Sequence, residues 1–419
     1  MERNVEVLVI GGGGIGVCSA HYLNAQNRQV ALLDKGVVCS GCSHGNAGLL
    51  VPSHSIPLAA PGVVAKALKW MFNPESPFYI KPRLDMGLIS WLWRFQRACT
   101  MRQVRRSMPV IRDLSLASLR LYRELAGLEG LDFDFVERGR LVVFKTREGL
   151  DGAAEEARLL GEVGLEARVV DMEEIGEMEP HVRIDAIGGM VHPLDGHLSP
   201  HRFVRQLADY IGQRGVAIHP ETEVLGFETA GRQVSRVVTT RGDFAAEHIV
   251  LAGGSWTPEL SRQLGIRLPI QPAKGYSIAY RRPSPCLALP ILLAEAKVGL
   301  TPMGDILRIG GALELAGFDR SINRRKLAAI LGAVPRYLPD LEPEQMEILE
   351  IWRGWRPSSP DGLPFLGRAA AYDNLVVAAG HGPIGISLAP ITGRLVGQLV
   401  AREKPEIALD ALGVERFAG

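Results

Sequence analysis

The chain opens with a short apolar run and then changes to helical periodicity. Positions 5–10 (VEVLVI) are mainly apolar, as in a strand buried on both faces of a parallel sheet. After a glycine-rich turn, Ile15, Cys18, Tyr22 and Leu23 fall on one face of a helix predicted over 14–27. A second apolar run over 29–33 ends in Asp34. The pattern predicts a strand–turn–helix–strand unit at the start of an α/β fold.

The turn over 11–16 (GGGGIG) fits the G-x-G-x-x-G motif of dinucleotide-binding units. Gly11 permits the tight turn, Gly13 lets the backbone approach a pyrophosphate, and Gly16 allows close helix–strand packing. Asp34, 18 residues after Gly16, can accept hydrogen bonds from ribose hydroxyls, and its charge disfavours the 2′-phosphate of NADP. The predicted cofactor contacts in this unit are Gly11, Gly13, Gly14, Ile15, Gly16, Asp34 and Lys35.

Three later segments favour FAD over NAD, because the flavin end of FAD must be held by parts of the chain remote from the first turn. They are a small-residue loop over 41–49, a strand and glycine turn over 248–256, and another strand and turn over 375–385. A helix predicted over 386–402 would direct its N-terminal amides at a flavin carbonyl. The predicted contacts here are Ser43, His44, Asn46, Ala47, Gly48, Leu49, Ala252, Gly253, Gly254, Gly382, Pro383, Ile384 and Gly385.

These segments, with Arg356-Pro357 and the sequence DGLP over 361–364, resemble the D-amino acid oxidase and glycine oxidase superfamily, most of all its bacterial D-amino acid dehydrogenases. The resemblance spans nearly the whole chain. It implies an α/β fold (α+β overall) in which a Rossmann-like FAD-binding domain is assembled from discontinuous segments. A substrate domain on a mainly antiparallel sheet would complete the fold. The resemblance also implies that the backbone at Val224 meets the adenine end of FAD.

The predicted domains interleave along the chain. Residues 1–80, 197–262 and 353–419 are assigned to the FAD-binding domain, and residues 81–196 and 263–352 to the substrate domain. Strands are expected at 140–145, 188–192, 275–280 and 306–311, with helices at 148–163 and 199–213.

Arg356 is the first candidate for binding a substrate carboxylate, since arginine offers a rigid bidentate fork that stays charged. An ion pair within the sheet is the alternative, and Arg353 is a competing candidate. Tyr276 is predicted either to donate its hydroxyl to the same carboxylate or to be a buried structural residue. His44 and His54, in or just after the 41–49 loop, are candidates for contacting the flavin, carrying it covalently or guarding the entrance; simple packing is the alternative for His54.

The resemblance implies oxidation of D-amino acids to 2-oxo acids and ammonia, with hydride transfer from Cα to flavin N5. Electrons would pass to a quinone, a cytochrome or an artificial dye. The alternatives are an imino acid or secondary-amine dehydrogenase or oxidase of the same superfamily, an NAD-dependent dehydrogenase, and a non-catalytic nucleotide-binding or electron-relay subunit.

Composition limits the partners and the cellular location that we expect for this protein. A net charge of +1 gives no reason to expect nucleic acid as a partner, and 47% apolar residues predict a well-packed core. No run of about 20 apolar residues and no leader peptide is visible, which favours a cytoplasmic location. Cys39 and Cys42 lack a thioredoxin-type context, and no histidine or cysteine cluster predicts a metal site. A homo-oligomer remains compatible with the sequence.

The segment over 60–112 is strongly basic. It carries ten lysines and arginines against two acids, together with three of the six tryptophans, Trp70, Trp91 and Trp93. Basic side chains beside tryptophan suit an anionic bilayer surface. The alternatives are a cover over the substrate domain and a dimer interface.

Overall fold

The computed structural model of the protein describes residues 3–64 and 76–418. The described residues form nine α-helices and nineteen β-strands, arranged in two large sheets and one pair. The helices are α1 (Gly14–Ala25), α2 (Met86–Ala98), α3 (Met101–Ala126), α4 (Arg147–Glu162), α5 (Met172–Met178), α6 (Pro200–Gly212), α7 (Thr257–Gln263), α8 (Arg324–Tyr337) and α9 (Ala389–Val400).

The first sheet has eight strands, and its central strands are parallel. Five strands lie side by side in the order β19, β12, β1, β2 and β9. They come from four separated parts of the chain. The strands of this sheet are β1 (Arg3–Ile10), β2 (Val30–Leu33), β9 (Ala217–His219), β10 (Val224–Ala230), β11 (Gln233–Thr239), β12 (Phe244–Leu251), β18 (Phe365–Arg368) and β19 (Leu375–Ala379).

Apolar layers cover both faces of the first sheet, as the apolar strand sequences require. On one face, α1, α6 and α9 contribute to a core that includes Val9, Leu23, Phe203 and Leu395. On the other face, residues such as Leu251 form a second layer. The sheet therefore has buried strands whose carboxyl ends meet at one edge, where open α/β sheets bind ligands.

The second sheet has nine strands and is mainly antiparallel. Its order is β17-β13-β16-β15-β14-β5-β7-β6, with β4 beside β16. Among the described strands of this second sheet, only the β14–β5 and β16–β4 pairs are parallel. Its strands are β4 (Phe78–Ile80), β5 (Arg140–Phe144), β6 (Arg168–Val170), β7 (Gly188–His192), β13 (Gln271–Arg281), β14 (Ile291–Leu293), β15 (Val298–Met303), β16 (Ile306–Leu315) and β17 (Ile348–Ser358). A short pair, β3 (Leu49–Leu50) and β8 (Gly196–His197), lies apart. The predicted fold class is confirmed.

Three elements depart from the predicted domain boundaries. β4 falls within the segment assigned to FAD binding but pairs with β16 of the second sheet. β17 continues across the predicted boundary between 352 and 353. α3, assigned to the substrate domain, packs against α9, and its Tyr122 hydroxyl donates to the Ile386 carbonyl at 2.6 Å. Pairing and packing between distant segments are not encoded in local patterns, which explains these departures.

Candidate active site

Both sheets line one cavity of about 1820 Å³. The glycine turn after β1, the loop over 40–49 and the turns after β12 and β19 form its wall on the first sheet. Strands β13, β16 and β17 contribute from the second sheet. The cavity exceeds the usual range of about 300–1,000 Å³ for small-ligand pockets, so it has room for a large cofactor together with a substrate.

The glycine turn has the geometry that a dinucleotide requires. Gly11 has φ +121°, a region that favours glycine, and its amide donates to the Leu33 carbonyl at 2.7 Å. A Cβ on Gly16 would lie 1.7 Å from the Gly11 carbonyl oxygen, so only glycine lets α1 approach the turn this closely. These residues form a cradle at the helix N-terminus that fits a pyrophosphate.

Asp34 lies at the end of β2, as predicted, and lines the cavity. Its carboxylate accepts hydrogen bonds from the backbone amides of Gly12 at 2.7 Å and Gly36 at 2.8 Å. Burial raises the pKa of this carboxyl group, and the two amides oppose that rise. The amides therefore fix the position of the carboxylate beside the glycine turn.

Hydrogen bonds join three separated segments at the cavity. The Gly14 amide donates to the Ser43 hydroxyl at 3.0 Å, which ties the N-terminus of α1 to the 41–49 loop. The Asn46 side chain accepts from the Gly48 amide at 2.8 Å and donates to the Pro383 carbonyl at 3.4 Å. The small-residue loop is thus held between the first glycine turn and the turn that follows β19.

All but three of the residues predicted to bind the cofactor line this cavity; the exceptions are Gly16, Gly48 and His44. The two glycines support the wall, and Gly48, with φ +70°, could not carry a Cβ because it would lie 2.1 Å from the Leu198 carbonyl oxygen. His44 is different. Its Nε2 lies 2.8 Å from the Glu350 carboxylate, away from the cavity, so the structure does not support the predicted flavin contact.

The helix predicted from 386 begins later. A 3₁₀ turn over Gly382–Ile384 lines the cavity, and α9 starts at Ala389. His381, just before the turn, is buried, and its Nε2 lies 3.1 Å from the Thr392 hydroxyl. Burial lowers the pKa of His381 to about 3, so it is neutral at pH 7. The backbone nearest the cavity is therefore the turn and not the helix itself.

Arg356 extends from β17 along the cavity wall. A Cβ on Gly275 of β13 would lie 2.3 Å from its Nη1, so the guanidinium rests directly on that glycine. Nη1 donates to the Ala312 carbonyl at 2.8 Å, and within the described chain no carboxylate forms an ion pair with Arg356. The alternative of an ion pair within the sheet is therefore not supported among these residues.

Tyr276, predicted to assist Arg356, contributes to the cavity wall, but its hydroxyl lies on the other side of the sheet. Neighbouring strand residues point to opposite faces of a sheet, and Gly275 already faces Arg356. The Tyr276 hydroxyl donates to Glu314 at 3.0 Å within the core beneath the sheet, where burial raises the pKa of Tyr276. The alternative stated from the sequence, that Tyr276 is a buried structural residue, fits this position.

His54, which follows the 41–49 loop in the chain, lines the cavity. Desolvation inside the cavity, together with the positive charges of Arg140 and Lys297, lowers the pKa of His54 to about 4. His54 is thus a neutral side chain at pH 7.

Sequence reasoning missed two buried arginines of the second sheet. Arg308, on β16, is 2% exposed, lines the cavity and donates from Nη1 to the carbonyls of His44 at 2.7 Å and Asn46 at 3.1 Å. Arg140, at the start of β5, is 7% exposed and pairs with Asp195 at 2.8 Å. A charged residue inside an otherwise apolar strand sequence is the signal that could have identified both.

Comparisons with known proteins agree with this geometry. Residues 6–399 match the family model described as FAD dependent oxidoreductase (DAO). The chain is 36% identical to a D-amino acid dehydrogenase of Methylobacterium radiotolerans and 32% identical to that of Granulibacter bethesdensis, covering 99% of this chain and 100% of each relative. A glycine oxidase from Geobacillus kaustophilus superposes with a TM-score of 0.81 at 27% identity, covering 99% of both chains.

The family match covers most of the chain, and the curated relatives align along its whole length. The predicted resemblance and the predicted cofactor, FAD, are both confirmed. The chain belongs to the DAO family of FAD-dependent oxidoreductases.

Proposed function

We propose that the protein is an FAD-dependent D-amino acid dehydrogenase, which oxidises its substrate to a 2-oxo acid and ammonia. The observation that carries the proposal is the Arg356 guanidinium, held against Gly275 in the cavity wall with no carboxylate partner among the described residues. An arginine in this setting suits the carboxylate that every amino acid carries. The names of the curated relatives favour D-amino acids.

The residues around the glycine turn are assigned to FAD. Gly11, Gly13 and Gly14 would hold the pyrophosphate with the Ser43 hydroxyl, and Asp34 would bind the adenosine ribose. The backbone at Val224 would meet the adenine, and the turns at 47–49 and 382–385 would border the flavin. Bound FAD supplies the acceptor for the two electrons that leave the substrate.

The rest of the reaction requires positioning more than acid–base catalysis. Arg356 holds the carboxylate, and the apolar walls keep the amine in its neutral form and exclude water. Among the predicted site residues, the Tyr276 hydroxyl donates to Glu314, and the lowered pKa of His54 makes its imidazole a weak base, so neither acts as a strong base at the amine. Loss of the Cα hydrogen and an N–H proton leaves an imine, to which water adds before ammonia departs.

The test is the visible spectrum of the anaerobic protein before and after addition of D- and L-amino acids, both prolines and sarcosine. Bleaching of the flavin band by D-amino acids supports the proposal. Bleaching by proline or sarcosine alone would replace it with an imino acid or secondary-amine enzyme. Hydrogen peroxide as the main product in air would indicate an oxidase, since a dehydrogenase passes its electrons to a quinone, cytochrome or dye.

The proposal includes contact with an anionic bilayer through α2 and the residues beside it. Leu84, Met86, Ile89 and Trp93 are each at least half exposed, and Arg97 lies 4.7 Å from the Trp93 ring centroid. Residues 76–112 carry eight basic side chains against one acid, Asp85. Lys66, Lys69, Trp70 and Glu75 of the predicted basic segment lie outside the described residues. Exposed apolar side chains surrounded by arginines suit the interface of an anionic membrane.

No helix among the described residues has the length and apolar character needed to span a bilayer. The proposed contact is therefore peripheral. Trp93 lines the cavity as well as being exposed, so the same surface borders the mouth of the active site.

A further inference from the structure

One part of the cavity wall is apolar and is built from the second sheet and α2. The apolar arm, as this part is called here, consists of five partly buried residues of one hydrophobic cluster that line the cavity: Phe78, Ile80, Leu92, Phe95 and Leu313. They lie on β4, α2 and β16, whereas the residues assigned to FAD belong mainly to the turns of the first sheet. The arm is therefore a separate part of the wall.

The apolar arm begins next to the guanidinium of Arg356. The side chain of Arg356 starts on β17, passes over Gly275 of β13 and donates from Nη1 to the Ala312 carbonyl of β16 at 2.8 Å. Leu313 is the next residue of β16, and it pairs with Phe78 of β4, one strand or about 4.8 Å further across the sheet. An amino acid whose carboxylate binds Arg356 therefore has Leu313 and Phe78 within reach of its side chain.

The wall on the other side of Ala312 has a different character. Gly311 and Gly310 line the cavity without side chains, and the next residue of β16 that lines it is the charged Arg308. By contrast, among the described residues of 76–96 and 312–315, none of those that line the cavity is charged. Glu314 belongs to the opposite face of the sheet, where it accepts a hydrogen bond from the Tyr276 hydroxyl. The apolar arm is thus the uncharged direction for a side chain that starts at Arg356.

The helix that covers the apolar arm is fixed in place. Trp91 of α2 is 4% exposed, and its indole donates to the Ser358 carbonyl at 2.9 Å. Its ring stacks on that of Phe95, with centroids 5.1 Å apart. Because these contacts already hold the wall, a bound side chain is desolvated without the cost of first ordering the arm.

We propose that the apolar arm binds the side chain of the substrate, so that the enzyme prefers D-amino acids with large apolar side chains over those with polar side chains of the same size. Burying a leucine-sized side chain against apolar walls is favourable, whereas burying an amide there without hydrogen-bond partners costs free energy. This inference rests on the proposed D-amino acid dehydrogenase function and names the substrate class for that site.

Comparing D-leucine with D-asparagine tests the inference, because the two side chains have nearly the same shape and differ in polarity. Stopped-flow measurement of anaerobic flavin reduction gives the apparent second-order rate constant for each, with D-alanine as the reference. The inference predicts a value for D-leucine that is at least about tenfold higher than for either of the others. Equal rates, or faster reduction by D-asparagine, would overturn it. Reduction by D-alanine in that case shows that the proposed function survives.

The variant Leu313→Asn should lower the ratio of the D-leucine to the D-asparagine rate constant by about tenfold, because it places an amide in the arm. Leu327→Asn is the matched control: Leu327 is a partly buried leucine of α8 that does not line the cavity, and its replacement should leave the ratio unchanged. An unchanged ratio in Leu313→Asn would contradict the assignment. If this variant fails to retain FAD, Leu92→Asn on α2 takes its place, and the wild-type comparison still decides the inference.

Discussion

At the scale of single residues, the position of Arg356 depends on the absence of a side chain opposite it. Gly275 lies on the neighbouring strand, and a Cβ there would overlap the guanidinium. Arg356 lies in the cavity wall, and its role as the carboxylate ligand stays a prediction. The predicted role of Tyr276 is not supported, since the alternation of strand residues directs its hydroxyl to Glu314.

Replacing Arg356 with lysine should raise the dissociation constant of a substrate amino acid or a carboxylate inhibitor by about 10- to 100-fold, because lysine cannot form the bidentate contact. Bound FAD should be retained, since Arg356 takes no part in the glycine cradle. Titration of the flavin spectrum measures both quantities.

Arg353→Lys is the control for this change, because Arg353 lies on the same strand but donates to the Arg320 carbonyl. Its effect on substrate binding should stay below about threefold. Gly275→Ala should weaken binding as Arg356→Lys does, by displacing the guanidinium. Unchanged binding in Arg356→Lys would make Arg356 structural and Arg353 the carboxylate ligand.

At the scale of elements, α2 has two different faces. Leu88 and Trp91 are buried against Ala273 and Leu315, and the Trp91 indole donates to the Ser358 carbonyl at 2.9 Å. Met86, Ile89 and Trp93 are exposed on the opposite side. A helix that packs on the site with one face and exposes apolar residues on the other is suited to join the cavity mouth to a bilayer surface.

The double variant Met86→Gln and Trp93→Gln should reduce binding to phosphatidylglycerol-containing vesicles by about tenfold or more, since it removes two large apolar side chains from the contact. Cosedimentation measures the bound fraction. Wild-type binding should weaken in 0.5 M salt and should be small on pure phosphatidylcholine, because the arginines supply the electrostatic part.

The control is the pair Ile348→Gln and Leu349→Gln, which removes comparably exposed apolar residues at the start of β17. It should leave vesicle binding unchanged. If both double variants bind like the wild type, or if the wild type does not bind anionic vesicles, the proposed contact through α2 is wrong.

At the scale of the whole molecule, several histidines are buried in neutral form. Burial lowers the pKa of His381 to about 3, and burial together with nearby arginines lowers the pKa of His192 well below its usual value and that of His197 to about 4. In the unfolded chain these side chains take up protons below pH 6.5. The unfolded state therefore binds more protons than the folded state between about pH 6.5 and 4, and stability falls as pH decreases through this range.

Each such histidine should lower the free energy of unfolding by about 1.4 kcal/mol between pH 7.5 and pH 5.5. Urea unfolding of the holoenzyme at the two pH values measures the total. His381→Gln should reduce the difference by about that amount, whereas His181→Gln, at an exposed position, should leave it unchanged. An identical pH dependence in His381→Gln and the wild type would contradict the neutral, buried state of His381.

The sequence by itself determined the dinucleotide unit, the cofactor class and the fold class. The signals were local: an apolar strand, a spaced glycine motif and Asp34 follow one another within 34 residues, and each has a steric or electrostatic reason to stand where it does. The late turn at 380–385 and the 41–49 loop were likewise recognisable, because small residues in a row between apolar segments indicate close backbone approach.

Only the tertiary structure decided which side chains face the cavity and which strands pair. A shift of one residue along β13 separates Gly275, beneath Arg356, from Tyr276 in the opposite core. The pairing of β4 with β16, and the meeting of Arg140 with Lys297 around His54, join residues far apart in the chain. Local periodicity indicates which face of a helix or strand is buried, but it does not indicate which other element packs against that face. The packing partner is determined by the burial of apolar surface across the whole fold.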